Sequence, residues 1–214
     1  MNKIKTTMFL VAAAAVTAGC ASLTSSGPGT DEVLKASFKE RGIAKLERLD
    51  QSPLQKACSE AATEGRDLDK ATRERLEKAA LAAVKYPADG KFVGDWREGE
   101  KIAQSGRGLQ FNDTAQTVAG GNCYACHQLS KAEISFGNIG PSLYNFGKLR
   151  GVADPASPAS AEMVKYTWGK VWNSHAYNAC SNMPRFGDAG ILTEAQVKDV
   201  VALLLDPKSP VNSQ

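Results

Sequence analysis

The chain has 214 residues, with 26 Lys and Arg against 23 Asp and Glu and a net charge of +3. Losing Lys3 and Lys5 with an N-terminal leader leaves it almost neutral, which excludes the basic footprint of a nucleic-acid binder. The remainder, about 195 residues, suits one domain or a small domain with an extension.

Residues 1–19 read as a signal peptide. Lys3 and Lys5 precede the apolar run from Met8 to Val16, and small residues follow. The apolar run is too short to span a bilayer as a mature helix, and such a leader implies export to the periplasm. Thr17-Ala18-Gly19-Cys20 resembles a bacterial lipoprotein box, with Thr where Leu is commoner. Cys20 is therefore a lipidation candidate, whose acyl chains would anchor the protein to a membrane. Ordinary cleavage nearby, for example after Ala21, is the alternative.

Residues 20–90 read as a linker and helical extension. Ala21 to Thr30 is a Ser- and Gly-rich tether. The spacing of Leu34, Phe38, Leu46 and Leu49 predicts helical structure over Asp31 to Asp50. A second helix is predicted from Leu68 to Lys85, with Asp67 as its cap, Leu76, Ala79, Ala80, Ala83 and Val84 in register, and Pro87 beyond its end. Neither helix carries visible chemistry; packing is their plain role.

Residues 91–214 form the third segment. Asp95 to Glu98 has the spacing of a capping box and opens a short helix ending near Gly106, followed by a glycine-containing loop. Then comes Cys123-Tyr124-Ala125-Cys126-His127. Two thiols three residues apart, followed at once by an imidazole, match the attachment site of one c-type haem. Each sulfur bonds one vinyl carbon of the porphyrin, and the adjacent His127 is the proximal iron ligand. A zinc site or a redox dithiol would use the same cysteines, but structural zinc needs about four ligands and no second pair stands at suitable spacing.

Downstream, a helix is predicted from Ser160 to His175, with His175 on the face of Trp168 and Trp172. Met183 precedes Pro184, which holds it in extended backbone and out of a helix, so a loop can present its thioether to a metal. Met183 is the favoured sixth ligand. Met163, inside the helix, reads as core; His175 is the main rival, and a Cys180 thiolate is a remoter one. Thr193 to Gln196 is another capping box, with Leu192 and Val197 placed as a staple. Val197, Val200, Val201 and Leu204 line one side of the last helix, which stops before Pro207.

Five cysteines are present. Once Cys20 is lipidated or removed and Cys123 and Cys126 hold haem, Cys58 and Cys180 remain as a disulfide candidate in an oxidising compartment. No alternating strand pattern is visible, so the expected fold is all-α, with loops wrapping a prosthetic group.

The Gly140-Pro141-Ser142-Leu143 stretch resembles the proximal loop of class I cytochromes c. That resemblance implies that the Pro141 carbonyl accepts a hydrogen bond from His127. More of the chain is similar to the SoxX family of monohaem cytochrome subunits: Gly121 through Leu143, Asn182-Met183-Pro184-Arg185-Phe186-Gly187, and the ending Leu205 through Asn212. The likeness covers roughly residues 91 to 212 and leaves the extension unmatched. It implies an electron-relay subunit that pairs with a SoxA-like haem subunit in bacterial thiosulfate oxidation. The pair would join thiosulfate oxidatively to a cysteine of a SoxYZ-like sulfur carrier, and a soluble cytochrome would accept the electrons. The alternatives are a stand-alone periplasmic electron carrier, and a haem sensor or peroxidase with an exchangeable distal site.

Overall fold

Three helices, two of them capped by side chains, set the framework around which the loops are hung. In the computed structural model, which describes residues 29–213, Asp95 caps helix α4 (Trp96–Gln104) by accepting the Arg97 N–H at 2.8 Å. Thr193 caps α7 (Glu194–Leu205) with a complete capping box through Gln196. Between them in sequence lies α6 (Ala161–Trp172). Residues 1–19 and Cys20, and with them the signal peptide and lipidation readings, lie outside the described residues.

The remaining helices are α1 (Thr30–Ser37), α2 (Pro53–Thr63), α3 (Lys70–Ala82) and the single-turn α5 (Phe146–Leu149). No strand occurs among the described residues; an isolated bridge joins Arg41 and Ala44. The fold is all-α, in keeping with a class I cytochrome c. The chain divides into two units, residues 1–39 and 40–214. In the first, α1 buries no residue. The second contains everything from Glu40 onward, so residues 40–90 belong to the same body as residues 91–214.

Helix α7 is the spine of this second unit, with α4, α5 and α6 all packed on it. Only Val197, Val200, Val201 and Leu204 are expected on its buried side, yet Ala202, Leu203 and Leu205 are buried too. Three neighbours on different sides leave its C-terminal half no solvent face. The α4–α7 crossing is close because position 99 is glycine: a Cβ there would lie 2.1 Å from the Asp199 carbonyl oxygen and 3.0 Å from Leu203 Cβ. Asp199 also caps the approach to α4, accepting the Asp95 N–H at 2.8 Å.

Burial beside Asp95 and Glu98 raises the Asp199 pKa above its ordinary 3.8, desolvation being the leading cause. A carboxyl whose folded pKa is raised stabilises the fold when protonated, and that contribution is lost as pH rises through the folded value. Asp199→Asn keeps the acceptor without the charge. It is expected to raise the melting temperature at neutral pH, with the gain vanishing below pH 3.8, as thermal melts at the two pH values would read.

The extension departs from its periodicity in two places. The stretch from Asp31 to Asp50 is not one helix: α1 stops at Ser37, Gly42 turns the chain at φ +56, and a 3-10 turn covers Leu46–Leu49. The backbone at Gly42 is left-handed, which a continuous helix cannot accommodate. Conversely, α2 lies where no helix is read from the sequence. Its start is nonetheless encoded, by Ser52 as cap, Pro53 in the first turn and Gln55 completing a capping box. The second predicted helix appears as α3, capped by Asp69 rather than Asp67.

Cys58 in α2 and Cys180 form a disulfide, 122 residues apart. Closing a loop of that length removes unfolded-state entropy worth about 5 kcal/mol in the chain-entropy picture. Trp168 then ties α6 to the end of the extension, its Nε1 donating to the Lys85 carbonyl at 2.9 Å.

Candidate functional site

Cys123–Ala125 forms a 3-10 turn, and the His127 N–H donates to the Cys123 carbonyl at 2.9 Å. Cys123, Cys126 and His127 are thereby wound into one tight loop. Its entry is anchored to the end of α4, with the Gly121 N–H on the Ile102 carbonyl at 2.8 Å and the Asn122 N–H on the Ser105 carbonyl at 2.9 Å. Asn122 takes the left-handed conformation at φ +47 that starts the turn. Both thiols are free. Cys123 keeps some surface exposure, yet burial by the packed atoms around it pushes its thiol up to about 12.

The 137–143 segment wraps this turn. The Gly137 N–H donates to the Tyr124 carbonyl at 2.8 Å, and the Gly140 N–H to the Cys126 carbonyl at 2.8 Å. His127 Nδ1 lies 2.7 Å from the Pro141 carbonyl oxygen. A backbone carbonyl only accepts, so Nδ1 carries the proton and Nε2 keeps its lone pair for a metal. Gly140 completes the cradle, since a Cβ there would fall 2.1 to 2.6 Å from three atoms of the His127 ring. Gly140→Ala must turn the imidazole and stretch the Pro141 bond. The expected result is a partly high-spin absorption spectrum in the loaded protein, where the parent is low-spin.

Met183 is partly buried and packs against the core cluster. Its backbone is held on both sides: the Ser174 hydroxyl donates to the Met183 carbonyl at 2.6 Å, and the Met183 N–H donates to Ser181 Oγ at 3.2 Å. The chain beyond it is pinned to the end of α6, with the Phe186 N–H on the Val171 carbonyl and the Gly187 N–H on the Trp172 carbonyl.

The rivals sit differently. Met163 lies within α6, against the core. His175 is not on that helix, which ends at Trp172; it belongs to a separate 3-10 turn, Ser174–Ala176, is buried, and has Nε2 3.2 Å from the Ser181 carbonyl oxygen. Its burial lowers the imidazole pKa, so the ring is neutral near pH 7. Cys180 is committed to its disulfide with Cys58, which leaves it no thiolate. No group of three or more His, Cys, Asp or Glu side chains that could hold a metal ion occurs among the described residues.

Two buried side-chain polar atoms lack a hydrogen-bond partner among the described residues, Asn145 Oδ1 and Trp172 Nε1. Trp172 Nε1 is buried with no hydrogen bond among the described residues, although its ring stacks on Trp168 with centroids 5.4 Å apart. A buried donor left unpaired costs on the order of 1–3 kcal/mol, so an acceptor is expected there. A porphyrin offers one in its carboxylates. Paired free thiols, an imidazole with a fixed tautomer and an unpartnered buried donor fit a covalent haem. Gly140 against the His127 ring, Ser174 on the Met183 carbonyl and the unpartnered Trp172 Nε1 are features that motif spacing does not reveal. Gly140 is legible only through its place beside Pro141, and the other two carry no local signal.

The comparisons with known proteins agree with this geometry. The cytochrome c family model matches residues 112–206. An uncharacterized lipoprotein of Aquifex aeolicus (strain VF5) is 39% identical over 168 residues, covering 76% of this chain and 73% of that protein. The motif, the histidine clamp and the family match lead to one conclusion: the chain contains a cytochrome c domain over residues 112–206, carries covalently bound haem c, and serves electron transfer.

Proposed function

We propose that this chain is the non-catalytic electron-relay subunit of a periplasmic thiosulfate-oxidising heterodimer. It takes electrons released when a SoxA-like haem subunit couples thiosulfate to a carrier-protein cysteine, and hands them to a soluble cytochrome. The observation that carries the reading is the joint order of three segments: Gly121 to Leu143, Asn182 to Gly187, and the ending through Asn212. That ending is a built element. Asn212 is buried, accepts the Gly147 N–H at 2.8 Å and donates to the Leu204 carbonyl at 3.0 Å, joining α5 to α7.

Bound haem supplies a one-electron iron couple. Cys123 and Cys126 would hold it, and His127 Nε2 and the Met183 thioether would ligate its iron. The Pro141 carbonyl keeps the Nδ1 proton in place and raises the basicity of the ring. A thioether ligand beside the imidazole would favour the reduced state, as an electron acceptor requires. With His127 and Met183 both engaged on the iron, substrate chemistry would be left to the partner. Anchoring through lipid at Cys20 is part of the proposal, supported by the box that ends there and by the likeness to the Aquifex aeolicus lipoprotein.

A pull-down from thiosulfate-grown cells, read by haem stain and intact mass, tests the assignment. Co-purification of a second haem subunit is the expected result. A lone monomer would instead favour a stand-alone electron carrier.

A further inference from the structure

The extension is linked to the segment that leads into Met183 at two adjacent points. Helix α2 reaches it covalently, through Cys58 to Cys180. Helix α3 reaches it through Glu77, whose Oε1 accepts the Ala179 N–H at 3.1 Å. These two attachments come from different helices and fall three and four residues before the methionine. Between α2 and the loop lies a cavity of about 380 Å³, lined by Leu54, Gln55, Cys58, Cys180, Met183 and Arg185 among others. The loop therefore has room to swing on that side. Beyond Met183 the backbone is pinned to α6, and before it the tie to the body of the fold is weaker: Ser181 meets His175, and Ala179 and Cys180 depend on the extension.

We propose that the extension is a brace for the methionine loop. Cys58, Cys180 and Glu77 are positioning residues that keep the Met183 thioether at the iron by suppressing local opening of residues 178–183. The inference rests on Met183 being the sixth ligand. It assigns a role to α2 and α3, which carry no chemistry of their own. Local opening of a loop responds to the removal of its ties without global unfolding. The braced and unbraced proteins should therefore share a resting spectrum and differ in how often the iron is exposed.

The test is the rate at which cyanide binds the ferric holoprotein, measured well below the melting temperature. Cys58→Ser with Cys180→Ser, and separately Glu77→Leu, should each raise that rate by about tenfold or more. Glu77→Gln retains the acceptor and should restore the parent rate. Should the double cysteine variant fail to fold, a phosphine can reduce the disulfide in the folded parent to two thiols, the phosphine taking up the oxygen of a water; the same acceleration is expected. Val152→Ala, in the core at 5% exposure, supplies a destabilised control that must leave the rate unchanged. Rates equal to the parent in the unbraced proteins, with Met183→Ala fast, would overturn the brace and leave the ligand assignment standing. A parent already as fast as Met183→Ala would instead remove Met183 as ligand, and the brace with it.

Discussion

Replacing Met183, the proposed sixth ligand, with alanine is expected to lower the reduction potential of the holoprotein and to let carbon monoxide bind the reduced form. The direction follows from ligand chemistry. A thioether stabilises ferrous iron relative to a harder ligand such as water, which would take its place. Axial ligands set haem potentials over roughly 0.8 V, and the loss of this one should amount to a fall on the order of 0.1–0.2 V. The substitution is clean because Met183 is fixed by its backbone: the Ser174 and Ser181 hydrogen bonds engage its carbonyl and N–H, which alanine retains. Potentiometry reads the first effect and the reduced-minus-reduced-plus-CO spectrum the second. An unchanged potential with no CO adduct would transfer the role to His175 or Met163. His175 is the harder case to make, since its Nε2 already meets the Ser181 carbonyl.

Gly99→Val is expected to have the largest effect on the fold. The new Cβ would fall 2.1 Å from the Asp199 carbonyl oxygen and 3.0 Å from Leu203 Cβ, both on α7. Neither neighbour can yield easily: the carbonyl is helix backbone, and Leu203 is fully buried. The two helices must separate, opening the core around Ile102, Val200 and Leu203. Overpacking of this kind costs typically about 1–3 kcal/mol, and a backbone clash belongs at or above the upper end. A fall in melting temperature on the order of 10 °C follows for a unit of this size. The Asn122 and Gly121 bonds to the end of α4 would move with it, so haem incorporation should fall as well. A variant melting with the parent would mean that the α4–α7 crossing is not the centre of stability.

The readable and unreadable parts of this chain divide along physical lines. Cys123, Cys126 and His127 were legible because covalent attachment imposes a local spacing that few other chemistries share. Thr193 and Gln196 were legible because a capping box is closed within four residues. The Ser52–Gln55 box is equally local, and with Pro53 it encodes the start of α2, which the apolar periodicity alone does not bring out. Periodicity failed over Asp31 to Asp50 for the opposite reason. Leu34, Phe38, Leu46 and Leu49 recur at helical intervals, but Gly42 breaks the backbone between them. Contacts such as Glu77 with Ala179, or Asn212 with Gly147, join residues 102 and 65 positions apart, and no local pattern encodes them. The unpartnered Trp172 Nε1 belongs to the same class: it becomes informative only when the whole core around it is known.

The account depends on haem being joined through thioether bonds to Cys123 and Cys126. Intact mass spectrometry of the exported protein, under denaturing conditions that strip any non-covalent cofactor, measures this directly. The predicted spectrum is that of the processed chain plus a single haem, and a Cys123→Ser, Cys126→Ser variant loses that increment. A processed chain at the mass of the bare polypeptide would contradict the account.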